Sequence, residues 1–173
     1  MNGQVVLGID IGGTNTVYGL ITKDGNVIYH ESIQTNGSLP IADLINRLDS
    51  KVKESLSRFP EIEKIIGVGI GAPNGNHFTG KIQDPPNLSW GNVDVIKLFS
   101  EIFNCDVDLT NDANAAALGE KHFGIAKDME DFVVITLGTG LGSGIFCGGR
   151  LLYGHDGFAG CLLYTSDAAD DRM

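Results

Sequence analysis

The sequence predicts an α/β protein built from two similar lobes, and two observations carry that prediction. Short apolar blocks early in the chain give way at Ser38 to apolar residues at three- and four-residue steps, a change from strand to helix spacing. A strand–glycine turn–strand unit then occurs twice, at 5–21 and at 132–147, with helical stretches between. Two such units are expected when two lobes face each other across a cleft, each offering a phosphate-binding hairpin. The charged stretch 127–131 places the boundary between lobes near 125–131.

The elements follow in order. Strands are expected at about 4–10, 16–22 and 26–34, the last two joined by the hairpin-type turn Lys23-Asp24-Gly25-Asn26. Ile41, Leu44, Ile45, Leu48, Val52, Leu56 and Phe59 mark one face of an amphipathic helix. Ser38 suits its N-cap, Pro40 its first turn, and Pro60 ends it. A strand at 65–70 runs into Gly71-Ala72-Pro73-Asn74-Gly75-Asn76, and 76–92 reads as a loop rich in Asn, Gly and Pro. A short helix at 93–103, a strand at 106–110 and an alanine-rich helix at 111–123 come next. The second unit has a strand at 132–137, a turn at 138–142, a strand at 143–147, and Leu151-Leu152-Tyr153 after it.

Composition bounds the function. With 173 residues, 42% hydrophobic and 20% charged, the chain is a globular one able to build a real core. Glycine is the outlier, 24 residues, which points to tight turns and backbone-lined sites. A net charge of −10 argues against nucleic acid or an anionic membrane as partner. Small phosphorylated ligands stay open, because loops and helix N-termini bind them locally. No apolar run approaches membrane-spanning length and no secretory leader is visible, so a cytoplasmic location is expected. Three scattered cysteines without C-x-x-C read as reduced thiols, and the four histidines show no metal-ligand spacing.

Three stretches carry chemistry. Asp10-Ile11-Gly12-Gly13-Thr14-Asn15 ends a strand on a carboxylate and turns through two glycines, which suits an anion-binding concavity. Asp10 beside it could hold Mg²⁺ through water. A plain Gly-Gly hairpin fits the same residues. Leu137-Gly138-Thr139-Gly140-Leu141-Gly142-Ser143-Gly144 is a second glycine loop able to close over phosphates, or a loose strand turn. Neither loop is a Walker A or a G-x-G-x-x-G after the first strand. In Thr110-Asn111-Asp112-Ala113-Asn114, a strand runs into a helix. Asn111 and Asp112 are good helix caps. They also suit a sugar-holding amide and a base accepting the proton of an attacking hydroxyl, a weak base being tolerable in phosphoryl transfer. Asn74 and Gly75 could line a polyol pocket or form a rigid turn.

Taken in order, the 10–15 turn, Gly71-Ala72-Pro73, Asn111-Asp112-Ala113-Asn114-Ala115-Ala116-Ala117-Leu118-Gly119-Glu120, the 137–144 loop and Gly154-His155-Asp156-Gly157-Phe158-Ala159-Gly160 resemble the ROK family of sugar kinases, most of all its bacterial glucokinases. The resemblance implies an actin-like (ribonuclease H-like) ATPase fold and transfer of the ATP γ-phosphate to the 6-hydroxyl of glucose. It makes Asp10, Gly12, Gly13 and Thr14 the first phosphate loop and Gly138, Thr139, Gly140 and Gly142 the second. It makes Asn111 a sugar ligand and Asp112 the base. It implies ATP and Mg²⁺ as cofactors and a homodimer as the assembly. The alternatives are a kinase for another hexose or N-acetylhexosamine, and a non-catalytic sugar-binding regulator; the latter calls for a helix-turn-helix ahead of Asp10, which only nine residues precede.

The resemblance ends at Gly160. The family continues into Glu-x-Gly-His and a cysteine cluster for structural zinc, whereas 161–173 have no counterpart there and resemble read-through of a sequencing adapter. The expected organisation is a complete N-terminal lobe at 1–125, a truncated C-terminal lobe at 126–160 and a non-native tail at 161–173. On that reading the fragment alone is inactive, and zinc belongs to the missing part.

Overall fold

The computed structural model describes residues 3–86, 88–137 and 140–162. The chain divides into two compact units, Met1–Thr110 and Asn111–Met173. The first contains β1 (Gln4–Ile11), β2 (Asn15–Ile21), β3 (Val27–Gln34), α1 (Ile41–Leu56), β4 (Lys64–Gly71), β5 (Gly75–Asn76), β6 (Lys81–Ile82), β7 (Val93–Asp94), α2 (Val95–Phe103) and β8 (Asp106–Thr110). The second contains α3 (Asp112–His122), β9 (Phe132–Leu137), β10 (Leu141–Cys147) and β11 (Arg150–Leu151). The helix at α3, grouped by the sequence reading with the first lobe, here belongs to the same unit as β9 and β10.

The main sheet has the order β3-β2-β1-β4-β8. β1, β2 and β3 form an antiparallel meander, while β4 and β8 join β1 in parallel. Asp10 stands opposite Gly71, and Gly71 opposite Thr110, so the three parallel strands end level. In open α/β sheets the carboxyl ends of parallel strands are where ligands bind. The core explains the strand and helix periods. Alternate residues of β1 (Val5, Leu7, Ile9, Ile11) join Leu44, Ile45, Leu48 and Val52 of α1 and Phe99 of α2 in one buried cluster.

Two expectations need correction. Ser38 is not the N-cap of α1; Pro40 is, with ψ 144° and no side-chain cap bond. A residue before proline is held away from helical angles, so Leu39 keeps the helix from starting earlier and leaves Ser38 out of reach. The 76–92 stretch is not all loop: β5, β6 and β7 form a small antiparallel sheet, and the helix expected from 93 starts at Val95 behind Asp94, whose side chain accepts from Lys97 N–H at 3.1 Å.

Beneath β2 and β3 lies a polar knot. The hydroxyl of Tyr18, a fully buried side chain, donates to Glu31 Oε2 at 2.7 Å and shares a 2.8 Å hydrogen bond with Ser55 Oγ. Tyr29 donates to the same Glu31 oxygen at 2.8 Å. Burial pushes the Tyr18 phenol well above its ordinary pKa, and the two hydroxyl donors, Tyr18 first, hold the Glu31 carboxyl below the usual range. A depressed carboxyl stabilises the fold above its unfolded pKa, about 4.3, and that contribution is lost as pH falls below it. Tyr18→Phe is therefore expected to cost about 1.5–3 kcal/mol at pH 7, the range for a hydrogen bond to a charged group. The cost shrinks near pH 3, which urea titrations at the two pH values will show.

Candidate functional site

The first glycine turn spans the gap between Ile11, the last residue of β1, and Asn15, the first of β2. Gly12 N–H donates to Asn15 O at 3.0 Å, and a Cβ on Gly12 would lie 2.7 Å from that same oxygen. Close backbone approach, not a left-handed φ, is thus what Gly12 is needed for. Gly13 and Thr14 are exposed, and so is Asp10 at the strand end.

The underside of the turn is held by a residue that nothing in its local context singles out. Thr35, 1% exposed, donates its N–H to Thr14 O at 2.8 Å and its hydroxyl to Gly12 O at 2.7 Å. Thr16 Oγ1 lies 2.9 Å from the same hydroxyl. In a planar trans peptide the C=O and the next N–H point in opposite directions. With Gly12 O directed at Thr35, the Gly13 N–H faces away from it. An exposed turn without a Cβ at its crossing, bearing an outward N–H and a threonine hydroxyl, fits a phosphate.

At the end of β4, Asn74 takes a left-handed φ of 52° and donates from Nδ2 to the carbonyls of Gln83 (3.0 Å) and Asp84 (3.1 Å). Gly75 N–H bonds Ala72 O at 3.0 Å, and Ala72 N–H bonds Thr110 O at 3.1 Å. A Cβ on Gly75 would stand 2.5 Å from Thr110 O. The donors expected to line a polyol pocket at Asn74 and Gly75 are thus engaged within the fold, where they brace the end of β8.

In the second unit, Asn111 is the N-cap of α3, and its Oδ1 accepts from Asn114 N–H at 2.7 Å. Asp112 is the first helical residue and exposed, with Oδ1 accepting from Ala113 N–H at 2.8 Å. Capping and chemistry are compatible here. The cap uses the Asn111 oxygen and leaves its amide as a donor, already oriented. The structure also brings α3 against the second glycine hairpin, β9–β10. A Cβ on Gly142 would meet Thr136 Oγ1 at 2.8 Å and Ala113 Cβ at 3.1 Å, and one on Gly144 would meet Ala117 Cβ at 2.5 Å. These glycines and alanines let β10 lie on the first turns of α3, beside Asp112. Gly140 has open space around its Cα. Gly138 and Thr139 lie outside the described residues. Farther on, Ser143 donates its N–H (3.1 Å) and its hydroxyl (2.9 Å) to Gly160 O, tying the 154–160 loop to β10.

The two units share a plan. Each has an antiparallel strand pair with a third strand added, β1-β2-β3 and β9-β10-β11. Among the described residues no group of three or more His, Cys, Asp or Glu side chains forms a metal cluster, and no helix is long and apolar enough to cross a membrane.

The family model described as "ROK family" matches residues 6–162. The chain is 34% identical over 163 residues to a xylose repressor of Caldicellulosiruptor bescii, covering 93% of this chain and 41% of that protein. It is 34% identical over 157 residues to a glucokinase of Thermotoga maritima, covering 88% and 47% respectively. Among solved structures, a ROK family glucokinase from Streptomyces griseus in complex with glucose and AMPPNP superposes with a TM-score of 0.76 at 29% identity, over 90% of this chain and 48% of that one. The chain spans about half the length of these relatives.

Proposed function

This chain belongs to the ROK family, with its actin-like ATPase fold, and from that membership we propose that the full-length protein phosphorylates glucose at its 6-hydroxyl with ATP. The observation that carries the reading is the start of α3, where a cap-anchored Asn111 stands beside an exposed Asp112. Asn111 orients a sugar hydroxyl through its amide, and Asp112 accepts the proton of the attacking hydroxyl. Positioning supplies most of the rate in a loose phosphoryl transfer, so an anchored pair suits the reaction.

Asp10, Gly12, Gly13 and Thr14 make one phosphate-binding loop, and Gly138, Thr139, Gly140 and Gly142 a second. Asp10, exposed at the strand end, would hold Mg²⁺, which would supply neutralisation of charge on the phosphates. Asn74 and Gly75 serve the sugar side by fixing Thr110, the residue before Asn111. Structural zinc and the dimer contacts belong to the half of the family's length that this chain does not span. A chain of this span is not expected to turn over by itself, and the protein works in the cytoplasm without nucleic acid or membrane.

A second reading is favoured by the likeness to xylose repressors and to a ROK family transcriptional regulator. It makes the protein a sugar-binding regulator without catalysis. Both are tested by incubating the full-length protein with ATP and a panel of glucose, mannose, fructose and N-acetylhexosamines. Glucose 6-phosphate as the fastest product is expected. A different fastest product reassigns the sugar, and sugar binding without any phosphate transfer favours the regulator.

A further inference from the structure

We propose that Thr35 is a positioning residue for the first phosphate loop, setting the outward face of the 12–14 turn from beneath. The proposal rests on the ATP-dependent reading above and adds to it a residue that touches neither sugar nor nucleotide.

Thr35 lies just past the end of β3, remote in sequence from the turn it grips. Two of its groups act on two different peptides of that turn: the hydroxyl on Gly12 O at 2.7 Å, the N–H on Thr14 O at 2.8 Å. A single bond would leave a turn free to swivel about it. Two bonds, one on the peptide after Gly12 and one on the peptide after Thr14, fix both planes, and with the first of them the direction of the Gly13 N–H. The hydroxyl donates its one proton to Gly12 O, so it can only accept from Thr16 Oγ1, which lies 2.9 Å away and is itself fully buried. The network is therefore polarised towards the turn.

Thr35 is in turn held from α1. Arg47 donates from Nη1 to Gln34 O at 2.6 Å and from Nη2 to Thr35 O at 3.1 Å, and its Nε is fixed by Asp43 at 2.8 Å. A helix, a strand end and the glycine turn are thus joined by hydrogen bonds in series. A buried threonine whose donors both serve an exposed, glycine-bearing turn is more than a core filler, because valine would fill the same volume without directing the turn. Preorganised donors act without reorganisation at the moment of reaction, and a small misplacement of them is costly.

The experiment uses full-length protein as wild type, Thr35→Val and Thr35→Ser. Valine keeps the shape and β-branching and removes the hydroxyl; serine restores it. Michaelis constants for ATP and for sugar are measured separately, with titration of AMPPNP by calorimetry and amide exchange over 10–16 as companions. Thr35→Val is expected to raise KM for ATP and weaken AMPPNP binding about tenfold. It should leave KM for sugar within about twofold, and speed exchange in the turn. Thr35→Ser should recover most of the nucleotide affinity. Equal KM for ATP in wild type and Thr35→Val, or a parallel loss for both substrates that serine does not recover, overturns the proposal. A wild type that binds AMPPNP but transfers no phosphate refutes the kinase reading and leaves the affinity arm to decide on Thr35. A wild type that binds no nucleotide removes both.

Discussion

Replacing Asp112 with Asn in the full-length protein is expected to lower kcat by about 10²–10⁴, the usual worth of a positioned general base. The substitution keeps the shape of the side chain and an oxygen able to accept from Ala113 N–H, so the first turn of α3 keeps its local bond. What it removes is the negative charge and the proton acceptor. Loss of a carboxylate at an exposed helix N-terminus costs about 0.3–1 kcal/mol of stability, too little to unfold a domain. The two effects therefore separate: a large fall in sugar phosphate formation, a small shift in unfolding midpoint, and unchanged KM for ATP. A fall of less than about tenfold would sink the assignment of Asp112 as base. The substitution also discriminates between the two functional readings, because a regulator that only binds sugar has no turnover for Asp112 to supply.

Much of this arrangement is written locally in the chain. The 3.6-residue spacing of Ile41 to Leu56 gives α1, and the apolar run Val5-Val6-Leu7-Gly8-Ile9 gives β1. The turn at Gly12 and Gly13 and the junction at Asn111 and Asp112 are visible because glycine pairs and capping residues act on their immediate neighbours. Features that arise between remote segments are not visible in this way. The grip of Thr35 on Gly12 spans 23 positions, and the bonds from Asn74 to the carbonyls of Gln83 and Asp84 depend on how the 76–92 stretch returns. Nothing about a threonine after a strand or an asparagine after a proline announces such partners. Ser38 shows the converse error, a locally good cap overruled because Pro40 restrains the residue before it.

Gly75→Ala should be the most damaging single methyl that can be added to the first unit at the ligand-facing end of its parallel strands. The new Cβ would sit 2.5 Å from Thr110 O, 3.0 Å from Thr110 C and 3.1 Å from Ala72 O, and all three are backbone atoms. None can swing aside as the tip of a side chain would. Thr110 O already accepts from Ala72 N–H, and Ala72 O from Gly75 N–H, so relief means breaking the bonds that close the turn onto β8. Overpacking of this kind costs about 1–3 kcal/mol, and a rigid backbone neighbour puts this case at the upper end. Gly69 provides the control within β4, since a Cβ there has nothing within 4 Å. Gly69→Ala should be neutral or stabilising by about 0.5–1 kcal/mol, the backbone-entropy gain of alanine over glycine. If urea midpoints of the two variants coincide, the packing of Gly75 on β8 is wrong as described. If Gly75→Ala alone falls, its kcat/KM for sugar should be read next in folded protein at low temperature. Thr110 precedes Asn111, so under the proposed function a displaced β8 end would reach the proposed sugar-holding amide and base through one peptide bond. A turn that matters only for stability would leave that ratio unchanged once the protein is folded.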